Sequence, residues 1–272
     1  MEVSGLWRYP VKSMGGESLE RIRVTNKGFV GDRAWALRDG DNTRNAKKFP
    51  ALMGMRAAYT QGPNNPPTIT LADGQSFTAN DSTASARISE VVGKTLDLTS
   101  LAPDSDLEFY RRHERRSLEE TRAILGLVDG EPLPDTSGFP ARVAEFATPP
   151  GTFFDCYPVL VMTRSSLDAL AKAAPASAID VRRFRPNILL DTDQSGFVEA
   201  AWTGRRLRIG DVVLSLDVMC PRCVMTTVGF DDLPKDPGIM RTLVGTTNQN
   251  LGIYAEVLSP GEIVMGDEAV LE

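Results

Sequence analysis

The feature that most constrains the fold is a succession of short strand-like segments interrupted by glycine, proline, asparagine and aspartate. Segments such as TITLADGQSFTA and RRLRIGDVVLSLDVMC alternate apolar and polar residues, which is the pattern of half-buried strands. The Asp-Gly pair within LADGQ predicts a hairpin turn. Regular strand–helix alternation, a G-x-G-x-x-G motif and a Walker A motif are all missing, which disfavours a nucleotide-binding sheet. We therefore expect a mainly β protein with a few helices, of the α+β class.

Two helices are predicted near the middle of the chain. The segment SLEETRAILGL begins with Ser117 and carries Glu120 three residues later, which is a capping box, and Gly126 marks its end. The segment SSLDALAKAAP starts with serine caps and stops before Pro175. The stretch between them is rich in proline and glycine and suits a boundary. We expect a β-rich N-terminal half over 1–115, a helical and loop connection over 116–152, and a β-rich C-terminal half over 153–272.

Composition and charge exclude several functional classes. The formal net charge of −6 argues against nonspecific nucleic-acid binding as the main function. No secretory signal or membrane-spanning apolar run is visible, and three cysteines do not suggest a disulfide framework, so a cytoplasmic protein without a membrane partner is expected. The single histidine, His113, excludes a multi-histidine metal site, and its arginine-rich surroundings predict a solvated residue on a charged face.

Two cysteines, Cys220 and Cys223, are spaced C-x-x-C within a segment that we predict to be β-structure on both sides. Structural zinc is disfavoured because a second pair of ligands is missing. A thioredoxin-like couple expects its motif at a helix start, so the context argues against it without excluding disulfide chemistry. A thiolate flanked by Arg222 is also the soft ligand that a heavier transition metal prefers. The third cysteine, Cys156, is expected to be an ordinary buried thiol.

The segment VRRFRPNILL predicts an anion-binding face. In an extended chain, residues two apart share a face, so Arg183, Arg185 and Asn187 would project together. The planar guanidinium fork suits phosphate oxygens. The alternative from the residues alone is an edge strand that carries charge against aggregation.

Three further segments carry residues that could bind an anion. Lys12 and Ser13 precede a double glycine, and Arg33 follows a turn beside Trp35. A helix start, whose amides and dipole favour a negative group, carries three polar residues: Thr163, Arg164 and Ser165. Each of these sites alone is also explained as a surface charge beside a turn or as helix capping.

The order of these motifs is more informative than any one of them. The chain runs through LWRYPVKSMGGESL, GFVGDRAW, SLDAL, RFRPNILL, CPRCVMTTV, NLGIYAEV and PGEIVMGDEAVL. From Leu6 to Leu271 this order resembles the MOSC family, which comprises proteins similar to the C-terminal domain of molybdenum cofactor sulfurase. Here the MOSC domain would be preceded by the family's N-terminal β-barrel domain.

The resemblance implies two β-barrel-like domains with a cofactor cleft between them. The cofactor would be molybdopterin, carrying molybdenum or tungsten. In members of the family that reduce amidoximes, the cysteine of an RC-x-x-T-T segment ligates molybdenum, and this residue corresponds to Cys223. The resemblance assigns cofactor binding to eleven residues: Lys12, Ser13, Arg33, Thr163, Arg164, Ser165, Arg183, Arg185, Asn187, Arg222 and Thr226. Cys220 would be a thiol near the metal or a packing residue, and we favour packing.

The activity that the resemblance implies is molybdenum-dependent reduction of small N-hydroxylated or N-oxygenated compounds. No cysteine pattern for a [2Fe–2S] cluster is present, so electrons would come from an external ferredoxin, flavodoxin or flavoprotein reductase. The alternative is a carrier in which Cys223 holds a persulfide sulfur for metal–sulfur cofactor assembly or specialised biosynthesis. A module that only binds a phosphorylated ligand is a third hypothesis.

Overall fold

The computed structural model describes residues 1–272, and most of its regular structure is β. The seventeen strands are β1 Glu2–Arg8, β2 Glu17–Ser18, β3 Arg21–Thr25, β4 Gly28–Phe29, β5 Trp35–Asp39, β6 Asn42–Arg44, β7 Arg56–Ala58, β8 Thr68–Thr70, β9 Ser76–Thr78, β10 Asp97–Ser100, β11 Val159–Thr163, β12 Ile188–Asp191, β13 Arg206–Ile209, β14 Val212–Pro221, β15 Asn250–Ser259, β16 Gly261–Val264 and β17 Ala269–Leu271. The six α-helices are α1 Ala84–Val92, α2 Leu107–Tyr110, α3 Leu118–Leu125, α4 Arg142–Glu145, α5 Arg164–Ala173 and α6 Gly238–Thr247. The prediction of a mainly β chain with a few helices is confirmed.

The largest sheet has eight strands in the order β17-β13-β14-β15-β11-β12-β1-β2. Every neighbouring pair in it is antiparallel except β11 and β12, which run parallel because α5 carries the chain back across the sheet. All five residues of β11 are buried, as expected for a central strand that is covered on both faces. The long strand β14 alternates between buried and half-buried residues, and its alternation was visible in the sequence.

The two ends of this sheet approach each other without forming a continuous ladder. An isolated antiparallel bridge joins Glu2 to Glu268, and the amide of Val3 donates to the carbonyl oxygen of Asp267 at 2.9 Å. These bonds bring the start of β1 beside the segment that leads into β17. The strand ladders themselves leave the sheet open, so the pairing does not contain the closed barrel that the resemblance implied.

The hydrophobic residues form two large clusters. The first is built on the eight-stranded sheet and includes Val3, Ile22 and Phe29 from the first 29 residues. The second holds the small sheets β10-β5-β6 and β7-β8-β9 together with α1. Met225 contributes to this second cluster from the distant C-terminal half. Both ends of the sequence therefore build the first core, and the division at residues 115 and 152 stays a prediction.

Several local predictions are confirmed and two are wrong. Ser117 and Glu120 form both halves of the capping box, and β8 pairs with β9 around the expected turn. The segment Val181–Arg183 is a 3₁₀ helix and Arg185 has a positive φ of 57°, so the arginine segment is not an extended strand. The residues after Cys223 are also a 3₁₀ helix, Val224–Thr227, where we predicted β-structure.

None of the helices combines the length and the apolar character that crossing a bilayer requires.

Candidate functional site

A cavity of about 220 Å³ lies where the N-terminal segments around Lys12 and Lys47 meet the eight-stranded sheet. Its lining has six cationic side chains, namely Lys12, Arg33, Lys47, Arg183, Arg185 and Arg222. The only carboxylate in the lining is Asp155. The chain is acidic as a whole, so this concentration of positive charge makes the cavity a candidate site for an anion.

Nine of the twelve residues predicted from the sequence line this cavity. They are Lys12, Ser13, Arg33, Arg183, Arg185, Asn187, Arg222, Cys223 and Thr226. Their sequence positions span more than 200 residues, and the fold brings them to one place.

Backbone geometry singles out the same cavity. Six non-glycine residues in the chain have positive φ, and three of them are Ser13 at 73°, Arg33 at 45° and Arg185 at 57°. Left-handed backbone costs about 1–3 kcal/mol for a residue with a side chain, and such residues cluster at functional sites. The fold therefore holds these three residues in an unfavourable conformation on the wall of one cavity.

Arg33 and Arg185 both stack on the ring of Tyr9. Their guanidinium carbons lie 4.6 Å and 4.2 Å from the ring centroid. Burial, followed by repulsion from Arg33, lowers the pKa of Arg185 to about 10. Its guanidinium makes one hydrogen bond, from Nη1 to the carbonyl oxygen of Met14. Arg185 thus carries a buried positive charge with no carboxylate partner, which a bound anion would stabilise.

Arg33 is better compensated, because it forms an ion pair with the buried Asp32. Burial alone would lower the pKa of Arg33, but Asp32, Tyr9 and Asp155 together outweigh this effect and raise that pKa. Asn187 completes this network: its Nδ2 donates to Asp32 at 3.0 Å, and its Oδ1 accepts from the amide of Leu160 at 3.2 Å. Asn187 therefore mainly links the start of β12 to β11 and to the Asp32–Arg33 ion pair.

Arg183 is fully occupied by the protein itself. Its guanidinium donates to four carbonyl oxygens, those of Ala178, Thr226, Val228 and Pro234, at 3.0, 3.3, 3.0 and 2.7 Å. The residue is 1% exposed. Although Arg183 lines the cavity, its donors are used to hold the segment that follows Cys223.

Lys12, Asp155 and Lys47 form a charged triad at the cavity wall. The Nζ of Lys12 donates to Asp155 and, at 2.7 Å, to the carbonyl oxygen of Phe153. Lys47 lies 3.4 Å from the other oxygen of Asp155. Burial alone would raise the pKa of Asp155, but the two lysines hold it well below its usual value. The triad carries one net positive charge.

The sequence analysis missed Tyr9, Lys47 and Asp155. Tyr9 lies within LWRYPVKSMGGESL, and Asp155 immediately precedes Cys156, so both are in or beside sequence that we did consider. Lys47 carried no sequence signal.

The three residues at the start of α5 do not line the cavity. The hydroxyl of Thr163 accepts from the amide of Ser166 at 3.1 Å, which is a helix cap. Arg164 pairs with Asp191 at 2.8 Å, and the hydroxyl of Ser165 donates to the carbonyl oxygen of Gly196. Capping, the alternative weighed for this segment, explains Thr163, whereas Arg164 and Ser165 are bonded to the last residue of β12 and to the segment that follows β12.

All three cysteines line the cavity, in contrast to the expectation that Cys156 is an ordinary buried thiol. Cys156 is half-buried, and burial and the neighbouring Asp155 raise its pKa to about 12. Cys220 is 2% exposed, and its sulfur accepts from Nη1 of Arg222 at 3.0 Å. Burial raises the pKa of Cys220 although Arg222 opposes this effect.

Cys223, like Cys156, is half-buried and its sulfur has no hydrogen-bond partner in the protein, in contrast to Cys220. It caps the 3₁₀ helix Val224–Thr227, and its carbonyl oxygen accepts from the amide and the hydroxyl of Thr226 at 3.1 and 3.0 Å. These bonds from Thr226 hold the backbone of Cys223, while the thiol of Cys223 remains free for a ligand.

A pterin cofactor that carries phosphate and a metal is consistent with this arrangement. The Nε of Arg222 is buried and has no partner, and Arg185 has donors to spare, so donors for an anion are present. No group of three or more histidine, cysteine or acidic side chains could hold a metal ion. A metal held by an organic ligand needs fewer protein ligands, and the free thiol of Cys223 is a soft ligand of the kind that suits a heavier transition metal.

Comparisons with known proteins agree with this geometry. The family model named MOSC domain matches residues 149–270, and the MOSC N-terminal beta barrel domain matches residues 1–105. The chain is 25% identical to mitochondrial amidoxime reducing component 2 of Bos taurus, over 84% of this chain and 67% of that protein. It is 25% identical to mitochondrial amidoxime-reducing component 1 of Mus musculus, over 99% of this chain and 82% of that protein.

A third relative is the molybdenum cofactor sulfurase of Caenorhabditis briggsae, with 25% identity. The match covers 98% of this chain but only 35% of the sulfurase. The two family models together match most of the chain, and both matched ranges contribute residues to the cavity. The chain therefore belongs to the MOSC family, with the family's N-terminal domain preceding the MOSC domain.

Proposed function

We propose that this protein binds a molybdopterin cofactor and reduces small N-hydroxylated or N-oxygenated compounds with electrons from an external donor. The observation that carries the proposal is the free thiol of Cys223, which opens into a cavity with six cations and one carboxylate. Two of the relatives are named as amidoxime reducing components, which gives the reaction class.

The residues divide into those that would touch the cofactor and those that hold them. Cys223 would ligate the metal. Arg185 and Arg222 have unused donors in or beside the cavity and would bind the anionic part, together with Arg33. Lys12 and Ser13 lie on the same wall, although Lys12 already donates to Asp155. Arg183, Asn187 and Thr226 would act as positioning residues, because their polar atoms bond to the protein.

When bound, the cofactor supplies the two-electron reduction that removes oxygen from the N–O bond. The overall reaction consumes two electrons and two protons and releases water. The protein supplies a water-restricted cavity, a fixed thiol and a positive field. Lys47 holds a proton on Nζ beside the cavity, because Asp155 raises its pKa.

The electron donor would be a separate ferredoxin, flavodoxin or flavoprotein reductase. These 272 residues contain three cysteines, one fewer than an all-cysteine iron–sulfur cluster uses, and all three line the cavity.

The second candidate is a sulfur carrier in which Cys223 holds a persulfide. The match to a molybdenum cofactor sulfurase over nearly the whole chain favours it, and a free thiol in a cationic cavity suits both candidates.

One preparation separates these candidates: protein expressed in a host that synthesises molybdopterin. The reductase predicts pterin and near-stoichiometric metal, and reduction of a hydroxylamine with benzyl viologen as the donor. The carrier predicts sulfane sulfur that cyanide releases, little metal and no reduction. Protein that contained neither cofactor nor sulfane sulfur would contradict both.

A further inference from the structure

A second and wider cavity of about 790 Å³ adjoins the first. The two share part of their lining, including Lys47, Phe139, Asp155 and Cys156, so the inner cavity continues into the outer one. Residues between 112 and 147 form most of the remaining outer wall. Any substrate that reaches the inner cavity from this side passes through the outer cavity.

The outer cavity is strongly basic. Its lining holds five cations, namely Lys12, Lys47, Arg112, Arg115 and Arg116, and one carboxylate, Asp155. That carboxylate is already shared between the two lysines. The three arginines therefore have no acidic partner in the cavity, in a chain whose overall charge is −6.

The arginines differ in how firmly they are held. Arg112 is half-buried, and its Nη2 donates to the carbonyl oxygens of Val143 and Phe146 at 3.1 and 3.0 Å. Burial, followed by repulsion from Arg116, lowers the pKa of Arg112. Arg116 also acts on Lys47, whose pKa it lowers against the stronger effect of Asp155. Arg116 is thus close to two other cations, and its own guanidinium makes no hydrogen bond or ion pair within the protein.

Part of the remaining wall is apolar. Ile124 and Leu125 come from α3, Phe139 and Pro140 come from the loop that follows, and Val143 comes from α4. Phe139 is fixed there because its ring packs edge-on against Tyr157 and Tyr254, with centroids 6.3 Å apart in each case. A ligand that matches both kinds of wall has an apolar or aromatic body and an anionic group.

We propose that the outer cavity binds organic anions with an apolar body, and that Arg116 selects such N-hydroxylated molecules as substrates. The substrate claim rests on the proposed reductase function, whereas the binding claim does not. The acidic surface of a partner protein would also complement these cations. The cations line a concave cavity that has apolar residues in its wall, however, and this shape suits a small molecule better.

Binding is tested first, without any turnover. Calorimetry compares 4-methylbenzoate, phenyl phosphate and the neutral isostere 4-methylbenzamide on the protein as purified. The two anions should bind more tightly than the amide, and rising salt should weaken only the anions. Arg116→Gln should weaken anion binding about fivefold, the upper end for a solvent-accessible ion pair. The matched control is Arg206→Gln, because Arg206 is exposed on β13 and lines neither cavity. Equal binding of the amide and both anions would overturn the proposal.

Which anion binds identifies the class of natural ligand. Preference for 4-methylbenzoate supports a carboxylate, and preference for phenyl phosphate supports a phosphate ester.

Turnover is tested second, with benzamidoxime and 4-carboxybenzamidoxime as substrates and benzyl viologen as the donor. Arg116→Gln should raise KM for the carboxylated substrate about fivefold while kcat and the KM for benzamidoxime stay unchanged. Reduction of both substrates with equal KM would refute the selectivity and leave the reductase function intact. Anion binding without any reduction would refute the reductase function and leave the binding site intact. If neither anion binds but the variant raises the KM for reduced ferredoxin, the cavity is a protein-docking surface and the proposal is wrong.

Discussion

Arg183 and Arg185 are two residues apart, yet the structure gives them opposite roles, and a matched pair of substitutions tests this. Arg183→Met removes a guanidinium that donates to four carbonyl oxygens at 2.7–3.3 Å and is 1% exposed. Arg185→Met removes one that donates to a single carbonyl and has no carboxylate partner. Both variants have the same new side chain, so the difference between them reports the hydrogen bonds.

The magnitude follows from the number of bonds. At about 1 kcal/mol of net stabilisation each, the four bonds of Arg183 contribute about 4 kcal/mol to the free energy of unfolding. For a chain of this size such a loss lowers Tm by about 10 °C. Arg185→Met should lower the free energy of unfolding by only about 1 kcal/mol, because the loss of one hydrogen bond and of the stacking on Tyr9 is partly offset by removal of a buried charge that Arg33 repels.

The assay is urea and thermal unfolding of both variants, prepared from a host that makes no pterin cofactor. Without cofactor, altered ligand binding does not contribute to stability. In a host that produces the cofactor, the pterin content per folded molecule should be lower in Arg185→Met than in Arg183→Met. This order is the reverse of the order of destabilisation. Equal destabilisation of the two variants without cofactor would refute the assignment of Arg183 to structure and Arg185 to anion binding.

Two further predictions concern two carboxyl groups with shifted pKa values. Asp155→Asn should lower the free energy of unfolding at pH 7 by about 1 kcal/mol, because Asp155 is 42% exposed and solvent screens its lysine contacts. Its pKa is lowered in the folded state, so this contribution is lost as the pH falls, and the variant and the parent should converge in urea titrations at acidic pH. Burial raises the pKa of Glu199, so its carboxyl makes stability fall as the pH rises from the ordinary glutamate range. Glu199→Gln should flatten this part of the pH profile, and an unchanged slope would contradict the assignment.

Local chemistry was the part of the fold that the sequence predicted well. The capping box at Ser117 and the hairpin around LADGQ need only neighbouring residues, and both are as expected. The segment predicted to bind an anion lines the cavity, but its extended geometry was predicted wrongly. The positive φ of Arg185 is imposed by tertiary contacts, including its stacking on Tyr9 from the opposite end of the chain. A period-two pattern cannot predict such a conformation.

The candidate site was also only partly predictable from the sequence. Residue type and motif order indicated Arg33, Arg185, Arg222 and Cys223, which the fold gathers around one cavity. The distinction between residues that are free to bind and residues that are already bonded was not available from the sequence. It depends on which carbonyl oxygens lie within reach, as the four partners of Arg183 show.

The assignment of Cys223 to the metal is tested most directly by the molybdenum and tungsten content of two matched variants. Cys223→Ser removes a half-buried thiol that has no protein partner, and Cys220→Ser removes the buried thiol that already accepts from Arg222. Expressed in a host that synthesises molybdopterin, Cys220→Ser should retain most of the parent's metal per protein molecule and Cys223→Ser should retain almost none. Equal metal content in the two variants, whether both keep it or both lose it, would contradict the assignment.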